Sequence, residues 1–142
     1  MTQSILIIDD DIVCQTLIAE IFRDAGYQVQ QADDGRAAMA LFNVEPADLV
    51  VTDIFMPEQD GIETIIALRQ ETFPPKMIAI SGGGTQCGMD VLRLAKLLGA
   101  DVALSKPVNP ERLLDVARTL LEQQARERAV AWRWAPTSIR AA

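Results

Sequence analysis

The chain has no histidine at all. A histidine base, a histidine nucleophile and imidazole metal ligands are therefore excluded among its own residues. Its two cysteines, Cys14 and Cys87, form neither a spaced metal motif nor a disulfide framework. Reduced thiols in a cytosolic protein are expected. With no imidazole and no spaced cysteine motif, any metal must be held by oxygen, which points to Mg²⁺, Mn²⁺ or Ca²⁺. No apolar run is long enough to cross a bilayer, and the N-terminus lacks the charged-then-apolar order of a secretory leader. A cytoplasmic protein without membrane contact is expected. Basic residues are outnumbered, 13 against 20 acids, for a net charge of −7. Residues 123–142 carry Arg126, Arg128, Arg133 and Arg140 against Glu127, so they hold +3 and the first 122 residues hold −10. Such an acidic body disfavours direct DNA binding, which needs Lys and Arg on phosphates, and suits a metal cation or a basic partner.

The 142 residues fit one domain, long enough to bury a real core. Short apolar runs alternate with longer helical patterns. Ser4–Ile8 (SILII) reads as a strand buried on both faces. Asp11 is placed to cap a helix whose Leu17, Ile18, Ile21 and Phe22 follow three- and four-residue spacing up to Gly26. Tyr27–Ala32 reads as an edge strand, and Gly35 to about Asn43 as a short helix with Ala38, Leu41 and Phe42 inward. Glu45-Pro46 separates it from strand three, Asp48–Thr52. Ile62–Gln70 is helical, with Ile62, Ile65, Ile66 and Leu68 as its apolar set; Lys76–Ser81 is strand four. Val91, Leu94, Ala95 and Leu98 mark a helix closing at Gly99, and Asp101–Leu104 is a brief fifth strand. A last helix starts near Pro110 with Leu113, Leu114, Ala117, Leu120 and Leu121 inward. Five strand–helix units predict a doubly wound α/β fold: a five-stranded parallel sheet with right-handed crossovers and helices on both faces.

In such a sheet every strand ends on one rim, where ligands and chemistry collect. That rim carries Asp9, Asp10 and Asp11 after strand one, Asp53 after strand three, Ser81 after strand four and Lys106 after strand five. Asp53 stands out. The apolar run from Leu49 ends on it, and Met56-Pro57 and Asp60-Gly61 stop the strand from continuing. Two carboxylates about 4 Å apart repel by about 4 kcal/mol at an effective dielectric of about 20, so Asp9, Asp10 and Asp53 call for a counter-charge. A hard divalent cation supplies one, and Mg²⁺ accepts few carboxylates, several waters and a phosphate oxygen. Lys106 adds an ammonium suited to a phosphoryl group and Ser81 a hydroxyl donor. With Asp53 as nucleophile, the set fits formation of an acyl phosphate. Asp11, read as a cap, stays outside it.

The motifs ILIIDDD (5–11), ADDGRAA (32–38), TDIFMPEQDG (52–61), AISG (79–82) and LSKPV (104–108) stand in order across residues 4–122. As an ordered set they resemble the receiver domain of response regulators in two-component signalling. The resemblance implies a flavodoxin-like sheet of strand order 2-1-3-4-5. It implies that Asp53 takes a phosphoryl group from a phosphohistidine on a histidine kinase or histidine phosphotransfer protein. It maps the Mg²⁺-holding acids to Asp9 and Asp10, a further metal ligand to the backbone carbonyl of Phe55, the hydroxyl to Ser81 and the lysine to Lys106. The donor histidine then belongs to the partner.

Three features depart from the pattern. Receivers usually carry Tyr or Phe three residues before the lysine; here that position is Ala103, whose methyl has no rotamer to switch. Output is therefore expected to use backbone movement of the Gly82–Gly88 loop and the helix after it. Phe55 is expected to overhang the acceptor and slow water attack. From Gln123 onward a tail carries both tryptophans, Trp132 and Trp134, with Arg126–Arg133 extending the last helix. It reads as a docking or self-association segment, a homodimer through the last helix included.

The expected organisation is a receiver at residues 1–122, then a helical tail at 123–142 too short for an effector domain. The expected function is a stand-alone phosphoacceptor that signals to a downstream protein by contact. It is not a turnover enzyme, performing only self-catalysed phosphoryl acceptance and slow autodephosphorylation. The alternative is a phosphorylation-independent adaptor on the receiver fold, supported by Ala103. A dehalogenase-like phosphatase would need a second acid two residues after Asp53, where Phe55 stands.

Overall fold

The computed structural model describes residues 2–54, 61–82 and 91–140. Five strands, β1 (Ser4–Ile8), β2 (Gln28–Ala32), β3 (Leu49–Asp53), β4 (Lys76–Ser81) and β5 (Val102–Ser105), form one parallel sheet of order β2-β1-β3-β4-β5. Between and after them run α1 (Ile12–Asp24), α2 (Gly35–Val44), α3 (Gly61–Arg69), α4 (Val91–Leu98), α5 (Pro110–Arg133) and a last short turn of helix, α6 (Thr137–Arg140). The expected α/β architecture, all-parallel pairing and strand order are all present.

Alternation along the central strands splits the core between the two faces of the sheet. Leu6, Ile8, Val50, Met77 and Ala79 point to one face and pack against Ala38 and Phe42 of α2, Ile65 and Leu68 of α3 and Ala95 of α4. Ile5, Ile7, Leu49, Val51, Ile78 and Ile80 point to the other, against Ile18, Ala19 and Phe22 of α1 and Leu113, Ala117, Leu120 and Leu121 of α5. The edge strand β2 is buried only at Ala32, as the sequence implied for an edge.

Strand boundaries shift by one residue at three places. Tyr27 precedes β2 and packs edge-on against Phe22, ring centroids 5.7 Å apart. Asp48 precedes β3: its carboxylate accepts from Ser4 N at 2.9 Å, and its carbonyl accepts from Lys76 N at 3.1 Å. Asp101 precedes β5, its carboxylate accepting from Met77 N at 2.8 Å. In the last two cases an aspartate side chain ties the start of a strand to its neighbour. Leu17, part of the three- and four-residue apolar spacing of α1, is 60% exposed, whereas Gln15 is buried.

The last helix, α5, spans 24 residues. It runs unbroken through Gln123 to Arg133 and is tied down along the way. Gln124 is buried and donates to the Asp48 carbonyl at 2.9 Å, Arg128 reaches the Asp48 carboxylate at 2.9 Å, and Glu127 pairs with Lys76 at 3.2 Å. All of this lies at the start of the strands, opposite the rim that carries Asp53. Beyond it Trp132 and Trp134 are exposed.

Candidate functional site

The rim residues converge. Asp53 ends β3 and is 8% exposed. Its strand tip is fixed on both sides: Ile54 N donates to Ile80 O at 3.0 Å, Gly61 N donates to Ile54 O at 2.9 Å, and Thr52 Oγ1 donates to the Asp53 carbonyl at 3.0 Å. Gly61 is required by close approach, because a Cβ there would collide with the Asp53 carbonyl and the Ile54 Cα. The start of α3 is thereby pressed onto the end of β3.

Asp9 follows β1 and is 2% exposed. Its N–H continues the ladder to Ala32 O at 3.2 Å. One carboxylate oxygen accepts from Asp11 N at 2.9 Å and the other from Lys106 Nζ at 3.1 Å. Asp10 is exposed beside it. Carboxylate oxygens of Asp9, Asp10 and Asp53 lie within 4.8 Å of one another, a set of hard donors that could hold a metal ion. Asp11 is a helix cap, accepting from Val13 N at 2.9 Å and Cys14 N at 3.3 Å. Those two backbone bonds lower its pKa below the usual carboxylate value. Burial raises the pKa of the half-buried Cys14 thiol, and Asp11 pushes it the same way.

Lys106 follows β5. Its Nζ lies 3.1 Å from Asp9 Oδ2 and 3.3 Å from Asp53 Oδ2, joining the ends of β1, β3 and β5 through one ammonium. Burial pulls its pKa down. The hydrogen bond to Asp9 and the charges of Asp53 and Asp9 outweigh that, so the net direction is up. The Lys106 N–H donates to Ser81 O at 2.9 Å, so the backbone that carries the ammonium is clipped to the end of β4. Ser81 itself is 3% exposed, and its hydroxyl has no hydrogen-bond partner among the described residues. An orphaned buried hydroxyl is costly and calls for an explanation. A group that arrives at the rim and accepts from it would supply one.

Asp9, Asp10, Asp53 and Lys106 are thus brought together, and Ser81 is joined to Lys106 through the backbone. Phe55, its carbonyl and the residues of the Gly82–Gly88 loop beyond Gly82 lie outside the described residues, as does Cys87. Ala103 sits on β5 opposite Ala79 and packs against the core cluster shared by α2, α3 and α4.

Gln15 escaped the sequence reading. It is 2% exposed, and its amide nitrogen lies 2.8 Å from Asp9 O, 3.1 Å from Ala32 O and 2.9 Å from Asp33 Oδ1. The signal was present: Gln15, Ile18, Ala19 and Phe22 follow the spacing of one buried helix face. A glutamine in such a set must bring its own partners.

Comparison with known proteins agrees with this geometry. The family model of the response regulator receiver domain matches residues 5–118. The regulatory protein VanRc of Enterococcus gallinarum is 30% identical over 127 residues, 89% of this chain and 53% of the relative. The transcriptional regulatory protein CpxR of Escherichia coli K12 is 36% identical over 119 residues, 84% of this chain and 49% of the relative. The chain thus spans about half the length of these curated relatives. A CheY-like receiver domain protein from Methanospirillum hungatei superimposes with a TM-score of 0.80 at 28% identity, covering 89% of this chain and 99% of that one. No described helix is long and apolar enough to cross a membrane. The chain belongs to the response regulator receiver domain family, the signalling domains of two-component systems.

Proposed function

We propose that Asp53 accepts a phosphoryl group from a phosphohistidine on a histidine kinase or histidine phosphotransfer protein, with Mg²⁺ or Mn²⁺ bound beside it. The signal then passes by contact to a downstream protein. The supporting observation is the convergence of three carboxylates within 4.8 Å on an ammonium that touches two of them. A buried carboxylate at a strand tip, an ammonium beside it and a buried hydroxyl at the next strand end support in-line phosphoryl transfer to a carboxylate.

In this reading an Asp53 carboxylate oxygen attacks the phosphorus. The new O–P bond forms as the P–N bond to the donor imidazole breaks, and the bond's electron pair leaves with that imidazole. Lys106 offsets charge on the phosphoryl oxygens, and the Ser81 hydroxyl donates to one of them. The residues present fit a hard divalent cation, since the ligating groups that converge among the described residues are carboxylate oxygens. Asp9, Asp10 and Asp53 would hold it, with the Phe55 carbonyl as the further ligand implied by the family. Such a cation supplies charge neutralisation at the phosphoryl oxygens. The chemistry is stoichiometric acceptance followed by slow hydrolysis, not turnover of a free substrate.

Ala103 favours a second reading, a phosphorylation-independent adaptor, because it removes the switch aromatic. Self-association through the exposed end of α5, where Trp132 and Trp134 stand, is compatible with either. Binding of beryllofluoride, a phosphoryl mimic, separates the two readings. Fluorine NMR with MgCl₂ is expected to show bound resonances that vanish in Asp53→Asn. Absence of bound resonances in the unmodified protein would favour the adaptor.

A further inference from the structure

We infer that Gln15 is a positioning residue for the metal-holding acids, locking the peptide of Asp9 so that its carboxylate stands ready beside Asp10 and Asp53. This rests on the reading that these acids bind a divalent cation. Asp9 is the first residue beyond β1, where the sheet no longer dictates the backbone. Its N–H still reaches Ala32 O at 3.2 Å, but its carbonyl has no strand residue to pair with. Gln15 Nε2 takes that carbonyl at 2.8 Å. The same amide lies 3.1 Å from Ala32 O, the acceptor of the Asp9 N–H, and 2.9 Å from Asp33 Oδ1. One side chain thus ties the turn after β1 to the turn after β2.

The glutamine is itself fixed from outside. Its Oε1 accepts from Gln31 Nε2 at 2.7 Å, and Gln31 Oε1 accepts from the Arg23 guanidinium at 2.9 Å. That contact orients the Gln15 amide so that its nitrogen, not its oxygen, meets the two carbonyls. Removing the Gln15 amide would leave the Asp9 peptide free to rotate, and the carboxylate would rotate with it. Partners of this kind, one bond behind the ligands, commonly change metal affinity by roughly ten- to a hundredfold.

The test is Mn²⁺ affinity, followed by water proton relaxation on the full chain, with hydrogen exchange of the Asp9–Asp11 amides as a second readout. Gln15→Met keeps the volume and loses the donors. It is expected to weaken Mn²⁺ binding roughly tenfold and to speed exchange at Asp9–Asp11 while the β4 amides stay protected. Gln31→Met, which leaves the donors in place, is expected to stay within about twofold of the unmodified protein, being a further step removed. If Gln15→Met does not fold, Gln15→Asn withdraws the amide from both carbonyls with one methylene fewer and is read in the same way. Unchanged affinity and unchanged Asp9–Asp11 exchange in a folded variant would overturn the inference while leaving the metal site standing. Failure of the unmodified protein to bind Mn²⁺ would overturn both.

Discussion

Lys106 Nζ stands 3.3 Å from Asp53 Oδ2, and the same ammonium is bound to Asp9. One cation therefore serves two buried carboxylates, with a third, Asp10, close by. The cluster keeps an excess of negative charge, and several consequences can be measured.

Neutralising the acceptor should stabilise the metal-free protein. Among the described residues and at an effective dielectric of about 20, the repulsions of Asp53 with Asp9 and Asp10 are worth about 3.5 kcal/mol each, and the attraction to Lys106 about 5. Asp53→Asn is therefore expected to gain about 1 to 2 kcal/mol in denaturant unfolding without divalent cations. At a tenfold excess of MgCl₂ over its Kd the unmodified protein should gain about 1.4 kcal/mol and the variant less. Equal gains at matched ionic strength would remove the Asp53 carboxylate from the metal site.

The raised pKa of Lys106 predicts a loss of stability in alkali. A group whose folded pKa lies above its unfolded value stabilises fully below the unfolded value, here 10.5, and that contribution disappears as the pH passes the folded value. Thermal melts above pH 10.5 should fall more steeply for the unmodified protein than for Lys106→Met. At the acid end the sign reverses for Asp11. Its lowered pKa stabilises above the ordinary carboxylate value and the effect is lost as pH falls through the lowered one, so Asp11→Ala should flatten the acid limb of the melting profile.

Gly61 should be intolerant of even one methyl. The Cβ of Gly61→Ala meets backbone of Asp53 and Ile54, which have no side-chain freedom to yield. A cost of about 1 to 3 kcal/mol is expected, with slower phosphoryl acceptance because the strain falls on the acceptor's own peptide. Chemical denaturation and an acceptance rate measured on one sample check both.

At the opposite end of the sheet, Gln124 should matter more than Arg128. Gln124 is buried and donates to the Asp48 carbonyl, so Gln124→Leu is expected to cost about 1 kcal/mol. Arg128 bridges to Asp48 from a half-exposed position, and Arg128→Ala should cost less than about 1 kcal/mol and fade with salt. Urea unfolding of both variants at low and high salt gives the comparison.

The parallel sheet and the convergence of Asp9, Asp10, Asp53 and Lys106 were legible because they follow from apolar runs and from what ends each run; the strand order came from the family resemblance alone. What escaped was polar and internal. Gln15 and Gln124 both occupy positions of a buried helical face, and pattern reading passes over a glutamine there unless asked what it bonds. Asp48, Asp101 and Tyr27 were placed in strands because they adjoin apolar runs. The ladders start or end one residue away, with the two aspartate side chains used to fix neighbouring strands. Leu17 erred the other way, an apolar residue at helical spacing that faces solvent.

The central claim is that Asp53 is the phosphoryl acceptor. Its most direct test is intact mass after incubation with phosphoramidate, with and without MgCl₂, followed by peptide mapping after borohydride reduction. The account predicts one added phosphoryl group, dependent on the divalent cation, mapped to Asp53 and absent from Asp53→Asn. An unmodified mass under these conditions, or a phosphoryl group that persists in Asp53→Asn, would contradict it.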